Sequence, residues 1–255
     1  MKIQDVNTKK IMITKHYKIA GCVIAVTSFF EQVHKLCRDY ETDEPADFSV
    51  TVTESDIAYE KQKSDSEYAY EGRPLPCFSD AALEETAVYR KIAEKMIDYD
   101  TVVFHGSAIA AEGVCYLFTA KSGTGKSTHT RLWRELLGEK AVTVNDDKPM
   151  LRVTNSGILV CGTPYNGKHG IGTNIAVPLK AICILTRSEE NHIARITKPQ
   201  AYPMLLQQVY RPQDPMQMTK TLKLIDIIAE SAGLFRLGCN MELSAAELAY
   251  NEMKG

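Results

Sequence analysis

The stretch AKSGTGKST, residues 120–128, has the spacing of a phosphate-binding loop, or P-loop. Gly123 and Gly125 would let the backbone bend so that successive N–H groups point at phosphate oxygens. The amine of Lys126 would reach the β- and γ-phosphates of a nucleotide, and the hydroxyl of Ser127 would bind Mg²⁺. The alternative is a Gly/Ser turn that contains a lysine by chance. The residues assigned to nucleotide binding are Ala120, Lys121, Ser122, Gly123, Thr124, Gly125, Lys126, Ser127 and Thr128.

The flanks of this loop agree with that interpretation. The apolar run VCYLFT before it is typical of a buried strand, and THTRLWRELLG after it is typical of a helix. A helix that begins at the loop adds a partial positive charge, which favours bound phosphate. Strand, glycine loop and helix in this order are the structural context that a P-loop requires.

Asp146 and Asp147 are the first candidate partners of the loop. They follow a predicted strand at residues 141–144, one helix and one strand after the P-loop. A P-loop enzyme needs an acid at the end of a nearby strand to hold Mg²⁺, and a kinase also needs a carboxylate to accept a hydroxyl proton. At a strand end, both side chains can turn toward one cavity. The alternative is an Asx-type turn that caps the strand.

Two further candidates are His105 and the segment GTPYNGKHGIGTN, residues 162–174. We predict that His105 lies on a strand paired with the strand that leads into the P-loop, which would place the histidine beside the phosphates. A structural histidine is the alternative. Residues 162–174 form a polar loop between strands, which either closes over phosphate or acceptor or is a flexible surface connection.

Composition restricts the partners and the location. A net charge of −2 and a pI near 6.3 do not support nucleic acid or an anionic membrane as the main partner. The seven cysteines are scattered singly, so zinc-ligand spacing is absent and a reducing cytosol is indicated. No segment has the length of a membrane span, and the first residues lack the apolar stretch of a signal peptide. We therefore expect a soluble, cytoplasmic protein.

The periodicity of apolar residues predicts the elements around these motifs. Expected strands are residues 11–13, 19–26, 48–53, 178–186 and 234–238, with a hairpin at Asn155-Ser156-Gly157. Expected helices are 29–40, one from Ser79 to Met96, 126–137, 201–209 and 219–231, and a last one opened by a capping box at Ser244. Residues 61–71 are assigned to a loop or an exposed hairpin, and 210–216 to a proline-rich loop.

In combination the motifs resemble the catalytic domain of HPr kinase/phosphorylase. HG at 105–106, AKSGTGKS at 120–127, DD at 146–147 and HGIG at 169–172 occur in the same order as in that family. TPYNGK, NIAVPLKAICILTR and FRLGCNM look like segments of uncharacterised HPr-kinase-related proteins. The resemblance covers about residues 100–185 and, loosely, the tail. It implies an α/β mixed sheet with a P-loop core like that of phosphoenolpyruvate carboxykinase. We expect this kinase-like domain at residues 76–255 and a small β-rich lobe at residues 1–75.

The resemblance also implies roles for single residues. His105 matches the active-site histidine near the phosphates, Lys126 the phosphate-binding lysine and Ser127 a Mg²⁺ ligand. Asp146 matches the carboxylate that acts as base during phosphorylation, and Asp147 matches the acid that supports the metal. ATP and Mg²⁺ are the implied cofactors.

One motif departs from the family. Gly167 falls where the family has a metal-binding Glu, and His169 falls where it has an Arg. A second metal contact and the family's phosphorolysis activity are therefore not expected from this motif. An arginine from a later loop also serves the family's site, and Arg187 and Arg211 are the two candidates here.

The main hypothesis is therefore a phosphotransferase that moves the γ-phosphate of ATP to a hydroxyl group of a protein, peptide or small molecule. Serine is the favoured acceptor. One alternative is carboxykinase-like phosphotransfer on a small organic acid. Another is a nucleotide-binding module without catalysis. The identity of the acceptor, the choice of ATP over another nucleotide and the formation of homo-oligomers stay open at this point.

Overall fold

The computed structural model describes residues 11–255. The chain divides into two compact units, Met1–Ile92 and Ala93–Gly255. The strands are β1 (Ile13–Ile19), β2 (Cys22–Ser28), β3 (Phe48–Thr51), β4 (Thr101–Val103), β5 (Ser107–Ala111), β6 (Val114–Thr119), β7 (Ala141–Asn145), β8 (Met150–Thr154), β9 (Gly157–Cys161), β10 (Ala176–Arg187), β11 (His192–Arg195) and β12 (Gly233–Cys239). The α-helices are α1 (Glu31–Leu36), α2 (Glu54–Tyr70), α3 (Asp80–Met96), α4 (Lys126–Leu137), α5 (Lys198–Gln208), α6 (Pro215–Ser231) and α7 (Leu243–Met253).

The first unit contains a three-stranded sheet in the order β1-β2-β3. β1 and β2 are antiparallel, and β3 is parallel to β2. The turn between β1 and β2 is Ala20-Gly21, where both residues have positive φ, 49° and 78°. The prediction of one strand over residues 19–26 was therefore wrong, because apolar residues continue through the turn and hide it from a pattern of hydrophobicity.

Residues 61–71 were also misassigned, since α2 runs to Tyr70 and replaces the predicted loop or hairpin. The helix starts with a capping box in which the Thr53 and Asp56 side chains each accept a backbone N–H of the other residue. Its buried residues are Ile57 and Glu60, so its sequence lacks the apolar stripe that would have indicated a helix. Charged contacts to α3 hold it instead: Arg90 bonds to Glu60 (2.5 Å from Nε to Oε1) and to Asp56 (3.3 Å from Nη2 to Oδ1).

The second unit is a curled mixed sheet flanked by helices, and the α/β class predicted from the sequence is confirmed. Its strand order is β4-β8-β9-β10-β6-β5-β7, with β12 paired to the second half of β10 and β11 paired to β12. The hairpin predicted at Asn155-Ser156-Gly157 is confirmed as the β8–β9 turn. No helix in the described part of the chain combines the length and the apolar character that crossing a membrane would need.

Both faces of this sheet are covered by helices, which explains why its strands are apolar on both sides. Tyr116 and Phe118 of β6 pack with Trp133 of α4 and with α7 on one face. Leu117, from the same strand, points to the other face and packs with α5 and α6. Trp133 is fully buried, with ring centroids 4.8 Å from Tyr116 and 5.2 Å from Phe118, so it anchors the helix that follows the predicted P-loop.

Three element boundaries differ from the predicted ones. The strand predicted to carry His105 is instead two strands, β4 and β5, which pair with different neighbours. α6 begins at Pro215, inside the predicted proline-rich loop, because the Asp214 side chain accepts the N–H of Gln217 and caps the helix. α7 begins at Leu243 with Glu242 at its N-cap, so Ser244 lies inside the helix and does not open it.

The cap of α2 gives a pH-dependent prediction. Burial raises the pKa of Asp56, but hydrogen bonds from Lys91 and Thr53 outweigh burial and lower this pKa to about 2. The unfolded chain has a pKa of about 3.9 at such a group. Asp56 therefore stabilises the fold above about pH 4, and this contribution is lost as the pH falls toward 2. We expect Asp56→Asn to lower the free energy of unfolding by about 1–2 kcal/mol at neutral pH, with a smaller difference at pH 3, in urea denaturation.

Asp65→Asn is the matched control, because it removes the same charge from the same helix at an exposed i,i+4 pair with Lys61. It should change stability little. A deficit of Asp56→Asn that stays constant from pH 6 to pH 2.5 would contradict the assignment of a lowered pKa to Asp56.

Candidate functional site

One edge of the large sheet collects the ends of several strands. β6 and β7 are both antiparallel to β5, so they run in the same direction, and β10 and β12 are parallel to β6. The carboxyl ends of these four strands therefore meet at one edge, where ligands of such sheets bind. The predicted P-loop follows β6 there, the two aspartates follow β7, Arg187 ends β10, and β5 begins there just after His105.

The conformation of the predicted P-loop, residues 120–128, depends on its glycines. Gly123 and Gly125 have φ of 74° and 119°, values that strain any residue with a side chain. The loop closes on itself through the Thr124 N–H and hydroxyl, which donate to the Lys121 carbonyl at 3.2 and 2.8 Å. Gly125 is the N-cap of α4, so the free N–H groups of the first helical turn open toward this edge.

Lys126 is half-buried at the start of α4. Its Nζ lies 3.4 Å from the carbonyl oxygen of Ala120, across the mouth of the loop. Burial lowers the pKa of Lys126, and the charges of Asp147 and Asp146 partly offset this effect. The loop lysine and both aspartates therefore share one electrostatic environment.

Asp147 is held between two basic side chains. Its Oδ1 lies 3.3 Å from His105 Nε2, and its Oδ2 accepts a hydrogen bond of 2.6 Å from Lys148 Nζ. Burial raises the pKa of Asp147, but hydrogen bonds from His105 and Lys148 outweigh burial and lower the pKa to about 2. The carboxylate is thus ionised across the physiological range and, with its side chain 22% exposed, is accessible to a ligand.

Asp146 is more deeply buried, at 8% exposure. Its Oδ1 accepts hydrogen bonds from the hydroxyls of Ser107 and Thr130, the latter at 3.3 Å. These two hydroxyls are also 2.9 Å from each other. Because Thr130 belongs to α4, one turn beyond Lys126, the pair of hydroxyls ties Asp146 to the helix that carries the P-loop lysine.

The buried amide of Asn145 shapes the turn that presents both aspartates. Its Oδ1 accepts the backbone N–H groups of Asp147 (2.9 Å) and Lys148 (2.6 Å). Its Nδ2 donates to the side chains of Thr163 (3.0 Å) and Asn166 (2.7 Å). This is the Asx-type turn that the sequence offered as an alternative, and here the turn and the gathering of acids are the same feature.

His105 lies beside Asp147, but it does not lie on a strand. It is in the link between β4 and β5, so the prediction that it lies on a strand was wrong. Its backbone N–H donates to the Gln208 carbonyl (2.7 Å), and the next N–H, of Gly106, donates to the Asp147 carbonyl (3.0 Å). A side chain at 106 would come within 2.9 Å of the Phe118 carbonyl, so glycine is required for this close approach.

The loop of residues 162–174 packs against the end of β7. Asp146 N–H donates to the Ile171 carbonyl (3.2 Å), and Thr173 N–H donates to the Val144 carbonyl (3.1 Å). A Cβ atom added to Gly167 would lie 2.9 Å from the Cβ of Asp147, so position 167 directly adjoins that aspartate. The loop is thus packed against the aspartate turn, and its closing over phosphate or acceptor stays a prediction.

Of the two arginine candidates, Arg187 reaches the P-loop. Its Nη2 donates to the carbonyl oxygen of Gly123 at 2.6 Å. Arg211 follows Tyr210, whose N–H pairs with the Val103 carbonyl on β4. Sequence reasoning missed Ser107, Thr130, Lys148 and the bracing role of Asn145. Lys148 and Asn145 adjoin the predicted aspartates, which is the signal that could have found them.

The chain matches no protein-family model and no curated protein. Among solved structures it is similar to the Hpr(Ser) kinase/phosphatase from Coxiella burnetii, with 11% sequence identity and a TM-score of 0.34. That alignment covers 60% of this chain and 99% of the other.

The bracing of the aspartate turn can be tested by Asn145→Ala. This change leaves the N–H groups of Asp147 and Lys148 without their acceptor in a buried setting, so we expect a loss of about 2–4 kcal/mol in the free energy of unfolding. Urea denaturation measures it, with Asn155→Ala in the exposed β8–β9 turn as the control. Equal stabilities of the two variants would show that Asn145 does not hold the turn.

Proposed function

We propose that the protein is an ATP- and Mg²⁺-dependent kinase that transfers the γ-phosphate to a hydroxyl group of a protein, peptide or small molecule. The favoured acceptor is a serine hydroxyl. The observation that carries the proposal is the convergence of Lys126 with Asp146 and Asp147 at one sheet edge. A phosphate-binding lysine beside two carboxylates is what transfer to a hydroxyl requires. The ordered motifs shared with HPr kinases agree with it.

The fold belongs to the same proposal. We assign Ala93–Gly255 to a P-loop core of the phosphoenolpyruvate-carboxykinase-like kind, on the strength of the ordered motifs and the strand–loop–helix context of residues 114–137. The seven cysteines, all within the described residues, are free thiols, which agrees with the proposed cytoplasmic location.

The residues at the edge fit a nucleotide with a magnesium ion. Gly123 and Gly125 leave the backbone of the loop bare for phosphate oxygens. Ser127 and Asp147 would hold the ion through their side-chain oxygens, because Mg²⁺ prefers oxygen ligands. Among the described residues no three His, Cys, Asp or Glu side chains cluster as a metal site, and a P-loop site needs no such cluster because phosphate and water complete the coordination. When bound, Mg²⁺ would neutralise charge on the β- and γ-phosphates.

In the proposed reaction, the side chains position and polarise the reactants. Lys126 draws charge from the γ-phosphate as the acceptor oxygen approaches in line. Asp146 takes the acceptor's hydroxyl proton on Oδ2 while Ser107 and Thr130 fix Oδ1. The new O–P bond forms as the bond to ADP breaks. His105, held beside Asp147, adds a donor near the transferring group.

The carboxykinase-like alternative is not favoured by the site. It needs a second metal contact, which the related family obtains from a Glu at the position of Gly167. In this chain that position has φ of 68° and a Cβ there would lie 2.9 Å from Asp147 Cβ. A larger side chain at 167 would therefore displace the aspartate.

Lys126→Met tests the phosphate-binding assignment. Because the lysine charge is needed in the transition state, we expect the rate of phosphate transfer from radiolabelled ATP to fall about 100-fold or more. Lys140→Met, an exposed residue after α4, is the control with the same loss of charge. If the two variants turn over ATP equally fast, the P-loop assignment is wrong.

Substitutions of the two aspartates should have different kinetic effects. Asp146→Asn should reduce kcat strongly and leave nucleotide affinity nearly unchanged, since the proposed base acts only during transfer. Asp147→Asn should raise the Mg²⁺ concentration needed for half-maximal activity, because it removes a metal ligand. Transfer at the wild-type rate by Asp146→Asn would remove this residue as the base.

A further inference from the structure

A cavity of about 500 Å³ lies next to the P-loop, on a side that the proposed reaction does not use. Its volume is in the range of small-molecule sites, roughly 300–1,000 Å³. The lining comes from the loop, from α4 and from the ends of β10 and β12. The lining side chains include Thr128, His129, Arg187, Ser188, Cys239 and Met241.

The position of the cavity fixes its relation to the phosphate site. Its lining takes in the glycine turn of the P-loop and Thr128, but not Lys126, Asp146 or Asp147. A polyphosphate in the loop would thus have its reacting end toward the aspartates. Its other end would leave the loop at the mouth of this cavity.

Arg187 stands between the loop and the cavity. Its guanidinium donates to the Gly123 carbonyl at 2.6 Å, which holds a positive charge at the place where a phosphate chain would leave the loop. The opposite wall is fixed, because the Asn240 side chain donates to the Glu189 carbonyl (3.1 Å) and accepts the Glu242 N–H (3.0 Å). The cavity is therefore a preformed space with a cation at its entrance.

His129 supplies an independent sign of a ligand. It lines the cavity and is 2% exposed, and its Nε2 lies 3.1 Å from the indole N–H of Trp133. Since the indole can only donate, Nε2 is the acceptor, and the neutral ring carries its proton on Nδ1. That Nδ1 has no hydrogen-bond partner among the described residues. A buried donor without a partner is costly, and a ligand in the cavity offers it an acceptor.

We propose that this cavity binds the nucleoside, base and ribose together, of the nucleotide whose phosphates the P-loop holds. This inference rests on the proposed function and extends it to the part of the substrate that does not react. Arg187 neutralises the phosphate nearest the ribose, and His129 offers a donor to a ring nitrogen or a ribose oxygen. The half-buried Cys239 and the side chain of Met241 provide apolar contact for the base.

The test compares ATP with inorganic tripolyphosphate, which has the same phosphate chain and no nucleoside. Ser188→Phe fills the cavity, and Ser231→Phe on the exposed end of α6 is the matched control. We expect Ser188→Phe to weaken ATP binding about tenfold or more in calorimetry and to leave tripolyphosphate binding within about twofold. The control should change neither affinity.

The outcomes separate this inference from the proposed function. If Lys126→Met weakens both ligands and Ser188→Phe weakens only ATP, both stand. If Lys126→Met weakens both ligands and Ser188→Phe weakens neither, or both equally, the nucleoside lies elsewhere and this inference fails alone. If Lys126→Met changes neither affinity, the phosphate site itself is wrong and both proposals fail.

A measurement on the unchanged protein covers the case in which Ser188→Phe does not fold. Cys239 lines the cavity, whereas Cys77 is exposed in the other unit and serves as an internal reference. We expect ATP to slow alkylation of Cys239, followed by mass spectrometry, at least about fivefold while Cys77 reacts at its usual rate. Tripolyphosphate should protect neither thiol. Equal protection of Cys239 by both ligands, or by none, would overturn the proposal.

Discussion

The side-chain amide of Asn145 is the contact on which the candidate site depends most. It is fully buried at the end of β7, and it both accepts the N–H groups of the aspartate turn and donates to the loop of residues 162–174. One amide therefore sets where Asp147 and Lys148 point and where the neighbouring loop packs. Such a buried, satisfied polar network specifies one arrangement, because any other leaves donors unpaired at high cost.

A second linkage runs through hydroxyl groups. Ser107 at the start of β5 and Thr130 in α4 both donate to Asp146. The carboxylate is thereby tied to β5, which pairs with the strand before the predicted P-loop, and to the helix after this loop. Asp147 is fixed separately, by His105 and Lys148. Two adjacent acids thus have different surroundings: Asp146 is nearly enclosed by hydroxyls, and the partly exposed Asp147 lies between His105 and Lys148. This difference is a physical basis for proposing different roles.

The strand directions explain why the chemistry gathers at one edge. β6, β7, β10 and β12 all end there, and the segments that follow them carry the P-loop, the aspartates, Arg187 and Asn240. The edge is long enough for two neighbouring groups of residues. The side near β7 holds the carboxylates and Lys126, and the side near β12 holds the cavity that we assign to the nucleoside.

The sequence by itself determined the local features. The glycines of residues 120–128 permit the positive φ values that this loop adopts, and the apolar runs before and after them predicted the strand and the helix that the structure contains. The α/β class, the β8–β9 hairpin and the aspartates at a strand end followed from short-range patterns in the same manner. Helix α2 did not, because ion pairs to Arg90 replace the apolar stripe that a sequence would display. Only the tertiary structure decided how distant segments meet: that His105 lies in a link between two strands, that Ser107 and Thr130 converge on Asp146, and that Arg187 rather than Arg211 reaches the P-loop. These contacts join residues far apart in the chain, and their geometry is set by strand order and direction, which no local pattern of residues encodes.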